Sequence, residues 1–127
     1  FVCRFLTEIS KMDYYSDFLR AMATAGKNGT VKNLLPNLPT NISMKVKSGT
    51  MEGIKAYAGY VTTAKGEKLC FSVICNNYDC SAHQMQKKLE KILYKIAVFV
   101  EILKCDTCTT GNSTQRIISN MDLQFGF

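Results

Sequence analysis

Three strand-like runs follow one another in this chain with only short links between them, and that spacing leaves few folds open. Ile42-Ser-Met-Lys-Val-Lys47 alternates apolar and polar residues, the period of a half-buried strand. Ile54-Lys-Ala-Tyr-Ala-Gly-Tyr-Val-Thr-Thr63 is rich in aromatic and β-branched residues. Leu69-Cys-Phe-Ser-Val-Ile-Cys75 is almost continuously apolar. The links are Gly49-Thr-Met-Glu-Gly53 and Ala64-Lys-Gly-Glu-Lys68. A parallel crossover needs a dozen or more residues, so links of this length imply hairpins and an antiparallel meander.

Helical signals stand on both sides of the meander. Val2, Phe5, Leu6 and Ile9 recur at helical spacing within residues 1–11. Ser16 is placed to cap a short helix over Asp17–Ala23. Ala25-Gly-Lys-Asn-Gly-Thr30 is a turn-rich loop, and Val31–Leu35 fits one helical turn ended by Pro36 and Pro39. Ser81 is placed to cap the strongest helix, residues 82–103. Its stripe of Met85, Leu89, Ile92, Leu93, Ile96, Phe99, Val100 and Leu103 is expected to pack on the meander. Gln86, Lys87, Lys88, Glu90, Lys91 and Lys95 lie largely away from that stripe. The expected class is α+β: an antiparallel β-meander flanked by N-terminal and long C-terminal helices. Residues 105–116 read as a polar linker, and Ile117–Phe127 fits either an extra strand or a frayed tail.

Composition narrows the function classes. A chain of 127 residues with 46% hydrophobic and 20% charged residues is that of one ordinary globular domain. The net charge of +6 is spread over Lys45, Lys47, Lys55, Lys65, Lys68, Lys87, Lys88, Lys91 and Lys95, without a tight Arg cluster or interleaved aromatics. That pattern argues for a solvated basic face and against nucleic acid as a partner. No apolar run reaches the roughly 18 residues of a membrane span, and the longest stretch, Ile96–Leu103, is interrupted by Glu101. Phe1–Ile9 contains Arg4 and Glu8 and lacks a small-residue cleavage site, so it does not read as a signal peptide. Beginning at Phe1 rather than Met, the sequence is expected to come from a longer parent.

Six cysteines stand at positions 3, 70, 75, 80, 105 and 108. On one strand, Cys70 and Cys75 lie ~16 Å apart and face opposite sides, which excludes a bridge between them. Cys105-x-x-Cys108 is the single close pair, and with His83 the sole histidine no zinc set is complete. Free thiols are the expectation, and no metal or cofactor is implied. Sequons occur at Asn28, Asn41 and Asn112, a weak signal.

The segment that carries chemistry is Lys47-Ser48-Gly49-Thr50, at the junction of a strand and a hairpin. Lys47 offers a fixed positive charge, Ser48 and Thr50 offer hydroxyls to an anionic group, and Gly49 leaves room for a peptide backbone alongside. Alone the triplet is weak. In order it is preceded by Ala25-Gly-Lys-Asn-Gly-Thr30 and followed by Met51, Tyr57-Ala-Gly-Tyr60, Gly66, Phe71-Ser72 and Asn76. This succession resembles the D-alanyl-D-alanine carboxypeptidase/endopeptidase family, the class C low-molecular-mass penicillin-binding proteins, over about residues 1–100. Two departures stand out: Ser48 where the family has Thr, and Asn28 where the loop has Asp.

The resemblance implies a serine β-lactamase/penicillin-binding-protein-like transpeptidase fold, with residues 1–104 its C-terminal part and residues 105–127 a tail of unassigned role. It implies a serine-type hydrolase of the bacterial cell envelope or periplasm, acting on peptidoglycan stem peptides and binding β-lactams. Lys47 would serve catalysis, and Ser48, Gly49 and Thr50 would bind substrate. The family's nucleophile is the serine of a Ser-x-x-Lys motif. No serine here is followed three residues later by Lys, and Ser-x-Asn is also missing. Thr24-Ala-Gly-Lys27 and Thr62-Thr-Ala-Lys65 fit that spacing with Thr alone. The chain is therefore expected to be inactive by itself and to supply one wall of the site. The alternative is a non-catalytic module that binds cell-wall peptide or a partner. A meander cut from a larger sheet is also expected to expose its edges and the face opposite the long helix, inviting self-association.

Overall fold

The computed structural model describes residues 1–98 and the backbone of residues 116–118. Helices α1 (Val2–Ile9) and α2 (Tyr15–Ala21) lead into a two-residue strand, β1 (Ala23–Thr24). A 3-10 turn, Gly29–Val31, precedes the meander of β2 (Ser43–Met51), β3 (Ile54–Thr62) and β4 (Lys68–Asn76). Helix α3 (Ala82–Val98) follows, and β5 (Arg116–Ile118) completes the sheet. The strand order is β1-β2-β3-β4-β5, antiparallel from β1 to β4, with β5 parallel to β4.

The meander stands as expected, but its first hairpin is tighter. Pairing between β2 and β3 runs without a break from Ser43↔Thr62 to Met51↔Ile54. Lys47–Thr50 therefore lies inside a strand, and the link shrinks from five residues to Glu52-Gly53. Gly53 takes a positive φ of 65°, a conformation that a side chain disfavours. Local composition suggested a loop at Gly49-Thr50; continuous cross-strand pairing decided otherwise.

Alternate residues of the sheet feed two cores. On one face Met44, Val46, Tyr57, Val61, Leu69 and Phe71 pack with Met85, Leu89, Leu93, Ile96 and Ala97 of α3. Each such buried large apolar side chain contributes on the order of 1.5–3 kcal/mol. On the other face Tyr60 and Cys70 pack with Cys3 and Leu6, rimmed by Tyr15, Phe18 and Leu19. The face opposite the long helix is thus covered by α1 and α2, contrary to the expectation that it would be bare. The amphipathic stripe of α1 is what makes that cover.

Local signals resolve in both directions. Ser81 forms a reciprocal cap: its Oγ accepts from Gln84 N–H (3.2 Å), and Gln84 Oε1 accepts from Ser81 N–H (3.0 Å). Ser16 does not cap. It lies within α2, whose N-terminal boundary is Tyr14 with no side-chain cap. The helical turn expected at Val31–Leu35 is instead the 3-10 turn at Gly29–Val31. Glu90, placed among the polar residues of α3, is buried, its carboxylate held by Lys87 Nζ (3.0 Å) and Gln86 Nε2 (3.0 Å). Phe99, Val100, Leu103, the Cys105-x-x-Cys108 pair and all but residues 116–118 of the tail lie outside the described residues.

Candidate functional site

The candidate residues sit on the outer edge of β2. Strand β1 pairs with β2 at Lys45 and Val46 alone. Beyond that point, over Lys47–Met51, the outer edge of β2 has no strand partner among the described residues. A strand edge without a partner strand is what an extended peptide needs to add itself as a further strand. Two shallow cavities lie elsewhere, one lined by Leu35, Lys87 and Tyr94 and the other by Thr24, Pro39 and Met44. The candidate site is therefore an open edge.

Strand alternation divides the four residues. Ser48 and Thr50 share the face of Val46, while Lys47 and Gly49 belong to the opposite face. Lys47 is exposed and its Nζ donates to Ser48 O at 2.7 Å, so the ammonium stays beside the strand. Ser48 Oγ lies 2.9 Å from Thr30 Oγ1, which ties the strand to the Ala25–Thr30 loop. Thr50 Oγ1 accepts from Lys55 Nζ at 2.9 Å. Lys55 is 9% exposed and lies over the Tyr57 ring, 5.8 Å from its centroid. A Cβ on Gly49 would meet Ala56 Cβ at 3.7 Å, an ordinary contact, so packing beneath the strand does not require glycine there.

The loop that presents Thr30 is built by its own sequence. Gly26 and Gly29 take φ of 72° and 60°, and Asn28 Oδ1 accepts from Thr24 N–H at 2.7 Å. An Asp oxygen would accept the same bond, so Asn28 keeps the acceptor the turn uses. Gly59 is the glycine that packing demands. A Cβ there would fall 1.9 Å from Lys45 O, because β2 crosses directly against it.

Burial governs the titrating groups nearby. The Tyr57 hydroxyl is pushed up to about 12, chiefly by desolvation, with the Glu90 and Tyr78 charges adding to it. Tyr60 is raised for the same first reason. Its hydroxyl donates to Leu6 O at 2.6 Å, pinning α1 to the sheet. A thiol cluster lies on the α1 face. A hydrogen bond with Cys70, then burial, holds Cys3 well above the usual thiol range, while that bond favours the Cys70 thiolate. Thr7 Oγ1 stands 3.3 Å from Cys70 Sγ. None of Cys3, Cys70, Cys75 and Cys80 is in a disulfide.

The sequence reading missed Lys55, Thr30 and the Cys3–Cys70 contact. Lys55 was legible as a lysine on β3 but not as a buried one. Thr30 belongs to a loop whose contact with β2 depends on the tertiary fold. Neither threonine that fits the nucleophile spacing opens a helix: Thr24 belongs to β1 and Thr62 ends β3.

With this geometry in view, comparison with known proteins is informative. The model of the D-Ala-D-Ala carboxypeptidase 3 (S13) family matches residues 2–96. The chain belongs to that family. Among solved structures it is similar to penicillin binding protein 4 from Haemophilus influenzae, with 24% identity and a TM-score of 0.52. That match covers 72% of this chain and 23% of the other, and it shows the penicillin-binding-protein fold. The chain thus spans about a quarter of the length of that relative. No curated protein sequence matches. The family membership and the fold agree with the resemblance carried by residues 25–76.

Proposed function

We propose that this S13-family chain is the C-terminal part of the catalytic domain of a serine-type D-Ala-D-Ala carboxypeptidase/endopeptidase. It lines one wall of the substrate groove. The observation that carries the reading is the unpaired edge at Lys47–Thr50, with two hydroxyls on one face beside a lysine. A stem peptide would extend along β2, making backbone hydrogen bonds to the free edge. Its terminal carboxylate would take hydrogen bonds from Ser48 and Thr50, with Lys47 supplying positive charge. The absent side chain of Gly49 keeps the edge open to the incoming backbone. A serine contributed by sequence outside this segment would attack the D-Ala-D-Ala carbonyl, release D-alanine and pass the acyl group to water. The cell envelope, peptidoglycan and β-lactams are the location and partners that this reading carries.

The test is D-alanine release from an N-acylated L-Lys-D-Ala-D-Ala peptide by the full-length protein that contains this segment. Release that stops on labelling with penicillin supports the reading, and an unlabelled, inactive full-length protein contradicts it. A second reading, a non-catalytic peptide-binding module, is favoured by one observation: neither Ser-x-x-Lys nor Ser-x-Asn occurs in these 127 residues. It predicts peptide binding by the full-length protein without turnover.

A further inference from the structure

We infer that Lys55 is a positioning residue for the substrate anion: it fixes Thr50 as a hydrogen-bond donor toward the open edge of β2. The inference rests on the carboxypeptidase reading of that edge and adds a residue to it. Lys55 is 9% exposed and makes no ion pair among the described residues. A buried ammonium without a carboxylate partner is costly, and proteins retain one where hydrogen bonds or a ligand compensate it. The compensation here is Thr50 Oγ1 at 2.9 Å and the face of the Tyr57 ring.

The direction of that hydrogen bond carries the argument. An ammonium donates and never accepts, so Thr50 Oγ1 is the acceptor. The Thr50 hydroxyl hydrogen is then left for another acceptor, and Thr50 is exposed on the strand segment that has no partner. Ser48 differs, because its bond to Thr30 runs in either direction. Thr50 is the one hydroxyl of the pair whose sense is set, and a donor with a cation behind it suits a carboxylate. An anion bound at Thr50 would lie about 6 Å from the Lys55 charge, a distance at which a half-buried pair attracts appreciably. Lys47 and Lys55 then flank the anion from opposite faces of the sheet.

The full-length protein is assayed with an N-acylated L-Lys-D-Ala-D-Ala peptide and with its C-terminal amide. Lys55→Met keeps the aliphatic stem and removes the charge. It is expected to lower kcat/KM for the acid about tenfold, mainly through KM, and to leave the amide unchanged. Lys55→Arg is expected to keep the preference for the acid. Thr50→Val tests the same relay at an exposed position that tolerates change, and is expected to lose the preference to a similar extent. A Lys55→Met protein or a Thr50→Val protein that retains the wild-type acid-to-amide ratio overturns the inference. A wild-type protein that turns over both peptides equally overturns the carboxylate reading as well. These two failures are distinguished by the wild-type ratio alone.

Discussion

Thr30 Oγ1 and Ser48 Oγ lie 2.9 Å apart, joining the Ala25–Thr30 loop to the strand that carries the candidate site. Both residues are at least partly open to solvent, so the bond is worth only about 0.5–1.5 kcal/mol to stability. Its larger use is to hold the Ser48 side chain in place beside the strand edge. Thr30→Val is expected to cost less than about 1.5 kcal/mol in urea denaturation while slowing penicillin acylation of the full-length protein several-fold. Thr30→Ser is expected to restore the rate. Equal rates in all three proteins would remove Thr30 from the site.

Gly59 illustrates a stricter demand. A methyl group there would stand 1.9 Å from the Lys45 carbonyl oxygen, which is backbone and cannot swing aside. Gly59→Ala is therefore expected to destabilise the chain by about 3 kcal/mol or more, the upper end of overpacking costs. Gly49→Ala, whose Cβ meets Ala56 Cβ at 3.7 Å, is expected to change stability by less than about 1 kcal/mol. Thermal melts of the two variants check the contrast.

Alkaline pH tests the packing of the sheet. Burial raises both Tyr57, to about 12, and Tyr60 above the ordinary phenol value of 10.0. A raised folded-state value means that the unfolded chain releases its proton first. The stability these groups confer is complete below pH 10 and is lost as pH rises through the folded-state value of about 12 for Tyr57. Unfolding free energies measured from pH 9 to pH 12 are expected to fall steadily above pH 10. Tyr57→Phe is expected to flatten that fall, and an unchanged slope would contradict the assignment.

The four described thiols divide by access. Hydrogen bonding favours the Cys70 thiolate, but Cys70 is 4% exposed and Cys3 5% exposed. Access outweighs thiolate character for a bulky reagent. Mass spectrometry after brief alkylation of the native protein is expected to find label on Cys75 and Cys80 well before Cys3 and Cys70. Denaturant should expose the latter two together.

Much of this was readable from the chain because periodicity and turn chemistry agreed. The Ile54–Thr63 and Leu69–Cys75 runs match β3 and β4 nearly residue for residue. Ser81 was legible as the cap of the long helix, and the structure adds Gln84 as its reciprocal partner. The errors share one cause. Gly49 reads as a breaker, yet pairing with Ala56 carries β2 through it. Ser16 reads as a cap, yet α2 begins before it. Lys55 reads as a solvent lysine, yet the fold buries it against Thr50 and Tyr57. In each case tertiary contacts overrode a local preference that the sequence states correctly. The lysine, hydroxyls and glycine of the candidate site were legible as types in order; the groups that hold them were not.

The most direct test is a crystal structure of the full-length protein acylated by a penicillin. The account predicts the drug's carboxylate within hydrogen-bond distance of Ser48 Oγ and Thr50 Oγ1, its backbone-like amide along the outer edge of β2, and Lys55 Nζ still on Thr50. A carboxylate bound elsewhere, with the Lys47–Thr50 edge bare, would contradict it.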